Sequence, residues 1–376
     1  MPRTLTRSLV AAAAVASLAG LSLVACGPPE GAARYGRKQA QTTLSKLEAP
    51  GVVIGEFGLT KIIDGDTVGV DGLDSSLRLL GIDTEETYKN QADRLASDAD
   101  FVKYLADKRA GHSRPVKAAT PLGEDAKTWA KHFFAGVDKV RLERDNPRQI
   151  RGRYNRYLAY VFAFKHGQWV NYNVEAVRAG MSPYFTKYGY SRRFHQEFVD
   201  AEREAKAAHL GIWDPTKLHY PDYAERKPWW TARAEFVAEF ERQAEGRDDY
   251  IDLTDFDSLR RIEAAVGKEV TVMSTVGEVR LGDRGPTKVM LSRRMFGDFP
   301  LVFFDKDVFA STGIARWKGE FVMVRGVVAV YENKHNGKKQ LQIIVDRPGQ
   351  VTLSPLPGLV RPGDEPAPES TSTAAQ

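Results

Sequence analysis

The sequence predicts an α+β protein, mainly β, built around two small barrels with helices packed alongside. Three observations predict it. From about Val52 to Ile82, apolar and polar residues alternate in short pieces, with Asp71-Gly72 as a turn signal. A second series of such pieces runs from Lys268 to Val345, with Gly267, Gly319 and Gly326 placed where a small barrel must bend. Between the two series, helical stretches such as Thr120 to Phe134 and Arg192 to Leu210 alternate with two further strand pieces. A length of 376 residues suits two domains, and 42% hydrophobic residues are enough to bury a core.

The N-terminus reads as an address. Arg3 and Arg7 precede an apolar run from Leu9 to Ala25, and Cys26 follows. The run is short and rich in Ala, the pattern of an export signal and not of a spanning helix. No second run is long enough to cross a bilayer. Leu23-Val24-Ala25-Cys26 resembles a bacterial lipobox, which implies that residues 1–25 are removed and Cys26 is lipidated. Elsewhere a lone Cys would read as a buried hydrophobe or a stray thiol. The expected protein is exported and held to the cell-envelope membrane by lipid. The lack of Asp after Cys26 favours the outer membrane or cell surface over the inner membrane. The rest of the chain has no Cys, which excludes disulfides and thiolate metal sites. Residues 26–50, small and polar, form a tether.

Residues 51–227 read as one domain. Thr120-Pro121 opens a helix with Pro at its first position. Ala126, Trp129, Ala130, Phe133 and Phe134 give that helix an apolar face, and Gly136 ends it. Lys139 to Glu143 and Tyr157 to Phe164 read as strands. Asn171 caps a helix ending at Gly180, and Arg192 to Leu210 forms a longer one stopped by Gly211. A small five-stranded barrel with helices alongside fits the oligonucleotide/oligosaccharide-binding (OB) architecture. Residues 228–249 form a helical connector carrying Trp229, Trp230, Phe236, Val237 and Phe240. Residues 250–353 repeat the strand pattern as a second OB-like barrel without a catalytic set. Residues 354–376, rich in Pro, Ser, Thr and Ala, read as disordered.

Two stretches carry the chemistry. The first is Asp64-Gly65-Asp66-Thr67, then Arg78 to Glu86 (RLLGIDTEE); the second is Tyr154 to Tyr160 (YNRYLAY). Asp66 and Asp83 are hard oxygen donors suited to Ca²⁺ or Mg²⁺, with the Thr84 carbonyl beside them as a third. Glu86, three residues after Asp83, reaches the same place without being a ligand and is the candidate general base. Arg78 and Arg156 carry planar forks that pair bidentately with phosphate oxygens. Together these suit attack on a phosphodiester, whose transition state gathers negative charge. Taken singly, each fragment has a plainer meaning: a turn, an edge Arg, a solvated acidic pair. The ordered combination carries the reading.

These motifs resemble the staphylococcal nuclease (thermonuclease) family over about Gly55 to Trp213. Trp169-Val170-Asn171, Val177 to Met181 (VRAGM) and Ala207 to Trp213 (AAHLGIW) extend the match. The resemblance implies the same fold, with Asp66, Asp83 and the Thr84 carbonyl holding Ca²⁺ in preference to Mg²⁺. It implies that Arg78 and Arg156 clamp the phosphate and Glu86 activates water. Tyr154 would contact a terminal phosphate, and Tyr184 would pack near a base. The implied partners are DNA and RNA, cleaved with little sequence preference to leave 3′-phosphates, by a monomer anchored to the membrane.

The chain departs from the family's pattern at three places. Glu85 replaces a frequent Pro, which is expected to set a second carboxylate beside the metal and loosen the turn. Asn155 stands where Gly is usual. Residues 88–119 are an insertion, either a basic lid over the site or a solvated helical hairpin. A barrel that binds nucleic acid without turnover, and an envelope scaffold binding protein or glycan, are the alternative classes. The formal charge of +5 falls to +3 without residues 1–25, so local basic grooves must attract nucleic acid. In the second barrel Arg280, Lys288, Arg293, Arg294, Lys334, His335, Lys338 and Lys339 offer such a rim. Phe303, Phe304 and Tyr331 are either stacking platforms or core. The seven histidines show no metal-like spacing, which disfavours zinc chemistry.

Overall fold

A computed structural model describes residues 51–362, apart from 74, 76, 151, 153–155, 294–296 and 360. The export signal, Cys26, the tether, Tyr154, Asn155, Arg294 and residues 363–376 of the tail lie outside the described residues. The tail's expected start at 354 needs correction, because Leu356 is buried in the second core and the Ser354 carbonyl accepts from the Trp317 indole N–H at 2.9 Å. The first ring comprises β1 (Val53–Ile62), β2 (Val68–Val70), β3 (Leu77–Leu79), β4 (Lys139–Glu143) and β5 (Tyr157–Lys165). β1 lies antiparallel to β2 and β4, β4 antiparallel to β5, and β5 parallel to β3. β1 changes register twice, which bends it and lets it pair on both sides. No ladder joins β2 to β3 among the described residues, but the Leu79 N–H donates to the Asp66 carbonyl at 3.3 Å. β6 (Gln168–Asn171) extends β5 through the turn at His166-Gly167.

Helices fill the gaps between strands. The insertion is a helical hairpin, α1 (Gln91–Ala99) and α2 (Phe101–Arg109), capped by the Asn90 and Asp100 side chains. α3 (Pro121–Phe133) begins as its sequence predicts, with the Thr120 hydroxyl accepting from the Gly123 N–H at 3.1 Å. α4 (Tyr172–Arg178) is capped by Asn171, and α5 (His195–Ala207) packs across it. Their ends touch backbone to backbone. A Cβ on Gly180 would lie 2.1 Å from the Leu210 carbonyl oxygen, and one on Gly211 2.0 Å from that of Gly180. Both positions therefore need glycine. Leu77, Leu79, Ile82, Leu142, Val161 and Phe198 form the middle of this core.

The connecting helix α6 (Tyr223–Ala244) begins five residues before the expected start at Pro228. Pro228 lies inside it and supplies no N–H to the Ala224 carbonyl. The early start is held by Tyr223, whose hydroxyl donates to the buried Glu85 at 2.9 Å. Trp230 packs with Phe185, Ile212 and Tyr220, whereas Phe236, Val237 and Phe240 pack with Met273, Phe321 and Met323. One helix thus completes two cores.

The second ring follows β7 (Tyr250–Asp252) and α7 (Ser258–Ala264). It comprises β8 (Glu269–Arg280), β9 (Thr287–Leu291), β10 (Phe299–Phe303), β11 (Phe321–Glu332) and β12 (Lys339–Ile344), with β13 (Val351–Leu353) added to β11. α8 (Lys306–Thr312) sits between the third and fourth ring strands. Pairing runs β8–β9–β10–β12–β11 and back to β8, a closed ring. Phe303 belongs to its core, while Phe304 and Tyr331 are exposed, with the Lys288 ammonium 5.6 Å from the Tyr331 ring. Among the described residues no helix is long and apolar enough to cross a membrane.

Candidate active site

The predicted site assembles at the weakly joined edge between β2 and β3. Leu77 and Leu79 point into the core, so Arg78 points out to the mouth of the ring by strand alternation. Asp66 enters β2 and Asp83 follows β3. The segments carrying them are pinned from outside. The Tyr172 hydroxyl donates to the Gly65 carbonyl at 2.7 Å, and Asn173 donates to the Leu80 carbonyl at 2.7 Å. The Asp83 N–H donates to the Ser182 hydroxyl at 2.9 Å.

Arg78 bridges the two aspartates, giving one terminal nitrogen to Asp66 and the other to Asp83. The Lys117 ammonium adds a 2.6 Å bond to Asp83. Burial alone would raise the Asp83 pKa, but Lys117 and Arg78 outweigh it and hold the carboxyl well below the usual range. Burial likewise works against the charge on Arg78, and Asp66 and Asp83 more than restore it. Arg156 joins through Thr67: its Nη1 lies 3.5 Å from the Thr67 hydroxyl, which donates to Asp66 at 2.8 Å.

Glu86 sits beside this cluster, half-buried, with Lys117 at 3.6 Å and Lys89 at 3.3 Å from its carboxylate. Its backbone is locked. The Thr120 N–H donates to the Glu86 carbonyl at 3.0 Å, and a Cβ on Gly123 would lie 2.1 Å from that oxygen. Asp66, Arg78 and Asp83 therefore lie in direct contact, Lys117 links Glu86 to Asp83, and Thr67 links Arg156 to Asp66. The paired aspartates suit a hard cation, because two buried carboxylates here share side-chain cations that a divalent ion would replace. Among the described residues no cluster of three His, Cys, Asp or Glu forms a ready-made cage. A cation held by Asp66 and Asp83 would draw further donors from carbonyls such as that of Thr84.

Two expectations need correction. Glu85 is not a second carboxylate beside the metal, and it does not loosen the turn. It is 1% exposed and faces away, accepting from the Thr120 hydroxyl, the Tyr220 N–H at 2.8 Å and the Tyr223 hydroxyl at 2.9 Å. Burial raises its pKa, and those donors oppose the rise. Tyr184 offers no face to a base. It is 6% exposed, stacked on Phe198 at 4.7 Å, and its hydroxyl accepts from the Ser191 N–H at 2.8 Å.

Sequence reasoning gave three residues no individual role, Lys117 entering only among the basic residues of the insertion that could form a lid. Lys117 returns from the insertion, 34 residues from the acid it binds, so no local spacing marks it. Tyr188 is exposed; partial desolvation beside the site opposes its ionisation, but the charges of Lys187 and Arg78 outweigh that and lower its pKa. Asp64, first acid of the Asp64–Thr67 motif, is pushed up to about 6 by burial and then by the charge of Asp66. Its place two residues before Asp66 was the available signal.

A ring mouth with paired buried acids, a bridging arginine and a half-buried glutamate defines a phosphate-handling site on a small barrel. Residues 76–215 match the model of the staphylococcal nuclease homologue family, and the chain belongs to that family. An uncharacterised protein of Methanocaldococcus jannaschii is 31% identical over 172 residues, covering 42% of this chain and 70% of that protein. The thermonuclease of Staphylococcus hyicus is 29% identical over 162 residues, 42% of this chain and 75% of the relative. That of Staphylococcus intermedius is 29% identical over 168 residues, 43% and 79% respectively.

Proposed function

We propose that this protein is an exported, lipid-anchored, metal-dependent nuclease that hydrolyses DNA and RNA with little sequence preference and leaves 3′-phosphates. The observation that carries the reading is the Arg78 fork held between Asp66 and Asp83, with Glu86 alongside. Once a phosphodiester enters, Arg78 and Arg156 have phosphate oxygens as alternative partners. Glu86 takes the proton of the attacking water. The water oxygen bonds to phosphorus, the bond to the 5′ oxygen breaks, that oxygen takes a proton from solvent as it leaves as a hydroxyl, and Glu86 returns its own proton to solvent. Asp66, Asp83 and the Thr84 carbonyl would hold Ca²⁺, which would supply charge neutralisation at the phosphate; Mg²⁺ would be the poorer fit. The reading of a binder without turnover loses its main support, since Glu85 lies away from the acids.

Incubation with DNA and RNA in Ca²⁺, in Mg²⁺ and in excess chelator tests the proposal. Ca²⁺ should support the fastest cleavage, and Asp83→Asn should lose most of it while keeping the folded barrel. Full cleavage in chelator would sink the metal requirement. We further propose that Cys26 carries the lipid, that the protein acts as a monomer, and that the second ring is an OB-type barrel whose rim holds substrate. Cys26→Ser should release the protein from the membrane fraction, since the tether offers no other apolar anchor. Retention of that variant would overturn the lipid assignment.

A further inference from the structure

The two rings are joined by a buried ion pair. Arg233, in the middle of α6, is 1% exposed, and its guanidinium pairs with Glu320 just before β11. The Arg233 Nε–H also donates to the Lys187 carbonyl at 2.9 Å, and Nη1 donates to the Gly319 carbonyl at 3.1 Å. Glu320 accepts from the Trp229 indole N–H at 3.2 Å and lies 3.6 Å from Arg114. The Arg114 guanidinium and the Lys187 ammonium each lie 4.6 Å from the centre of the Trp229 ring.

Both arms of this network lead to the first ring's site. Phe185, two residues before Lys187, has the Arg78 guanidinium 5.8 Å from its ring centre and donates its N–H to the Gly81 carbonyl at 2.9 Å, and Tyr188 follows Lys187 on the same segment. Lys117, three residues after Arg114, binds Asp83 at 2.6 Å. A buried ion pair is a poor way to gain stability, because desolvation offsets most of the attraction and an apolar pair of similar volume often holds as well. An apolar pair, however, cannot direct an N–H at the Lys187 carbonyl or give Arg114 a carboxylate. The charges at this seam therefore have a use in placement.

We propose that Glu320 of the second ring is a positioning residue for the active site of the first. Together with Arg233, Trp229 and Arg114 it fixes the Lys187–Tyr188 turn and the Arg114–Lys117 segment against Arg78 and Asp83. The inference rests on the nuclease reading for its kinetic consequence but not for its structural one.

The test uses the full chain and three variants: Arg233→Met combined with Glu320→Leu, Glu320→Asp, and Arg114→Gln. Cleavage kinetics, thermal unfolding and amide hydrogen exchange over residues 112–118 and 185–190 are measured on each. The double variant should unfold near the wild-type temperature, yet raise KM about tenfold, as expected when substrate-holding groups are misplaced. Its kcat should stay within about twofold, because metal ligands and base are untouched. Exchange should quicken in both segments and stay unchanged in β4 and β5. Glu320→Asp should recover part of the KM. Arg114→Gln, at a partly exposed position, should quicken exchange in 112–118 alone. Should the double variant fail to fold, Arg114→Gln and Glu320→Asp decide the matter. Wild-type KM and wild-type exchange in the folded variants overturn the proposal. If the wild type cleaves neither DNA nor RNA, the nuclease reading fails, and exchange by itself decides whether Glu320 positions the two segments.

Discussion

The two rings pair their strands in the same order, with the third strand parallel to the last, yet only the first opens at the seam between its second and third strands. In the second ring β9 and β10 pair at five successive positions, and all five residues of β10 are buried. In the first ring, among the described residues, the matching seam carries no ladder, only a backbone bond from the Leu79 N–H to the Asp66 carbonyl, and β3 turns Arg78 outward between two core leucines. A fully zipped strand spends its backbone groups on its neighbour and its side chains on the core. An unzipped one leaves room at the ring mouth for acids and a guanidinium. The ring is the scaffold, and the gap in it is where a site can be grafted.

If the open seam is what separates a working ring from its partner, the largest effect should follow from Glu86. Glu86→Gln keeps size but takes no proton, and turnover should fall by roughly 10²–10⁴-fold, the usual scale of general-base catalysis. Steady-state cleavage with unchanged substrate binding checks it; near-wild-type turnover would remove Glu86 as the base.

Its neighbour should behave in the opposite sense. Glu85→Ala strands the Thr120 and Tyr223 hydroxyls and the Tyr220 N–H, at about 1–3 kcal/mol for a buried group left unpaired. Denaturant unfolding should show the loss, with activity per folded molecule little changed. A large drop in kcat without destabilisation would return Glu85 to the site.

Lys117 tests whether the insertion belongs to the working ring. Lys117→Met removes the ammonium from Asp83 and should tighten Ca²⁺ binding about tenfold, the worth of one pKa unit of charge interaction. Calorimetric titration reads this directly, and equal affinities would make Lys117 a bystander.

The smallest effect belongs next to the second ring. Burial, then the charges of Asp252 and Asp257, push Asp255 up to about 8, against the pull of Arg148 and Arg261. The folded protein therefore binds a proton that the unfolded chain releases near pH 4. Stability from this group is highest below pH 4 and is lost as pH rises toward 8. Asp255→Asn should flatten that slope and raise Tm at pH 8 by a few degrees, each kcal/mol giving less than the roughly 2–4 °C of a 150–250-residue chain. An unchanged slope in thermal scans would show that Asp255 is ionised in the fold.

What the sequence made legible was local. Asp66, Arg78, Asp83 and Glu86 fall within 21 residues, and strand alternation by itself aims Arg78 outward. Helix starts at Thr120 and Asn171 were equally plain, since each cap is a side chain bonding its own next turn. Contacts made by distant chain were hidden. Lys117 reaches Asp83 only because α1 and α2 form a closed hairpin that returns the chain. Glu85 looked like a second carboxylate beside the metal because its burying partners, Tyr220 and Tyr223, lie about 135 residues away. Tyr184 and Tyr188 differ by four positions in an irregular segment, where no period says which faces inward. Pro228 suggested a helix start, because the anchoring of Tyr223 by Glu85 is invisible in the sequence.

Helix α6 sets a limit on how this chain can be inherited in pieces. The region of family likeness ends at residue 215, but the core it encloses does not. Phe185, Ile212 and Tyr220 wait for Trp230, and Glu85 waits for Tyr223, so the unit that folds is longer than the unit that is recognisable. A recombination event that lifted out the likeness alone would carry a bare apolar face and a stranded carboxylate. One that took α6 as well would bring Phe236 and Phe240 without the strands that cover them. The two rings can be exchanged only together with a redesign of the helix between them.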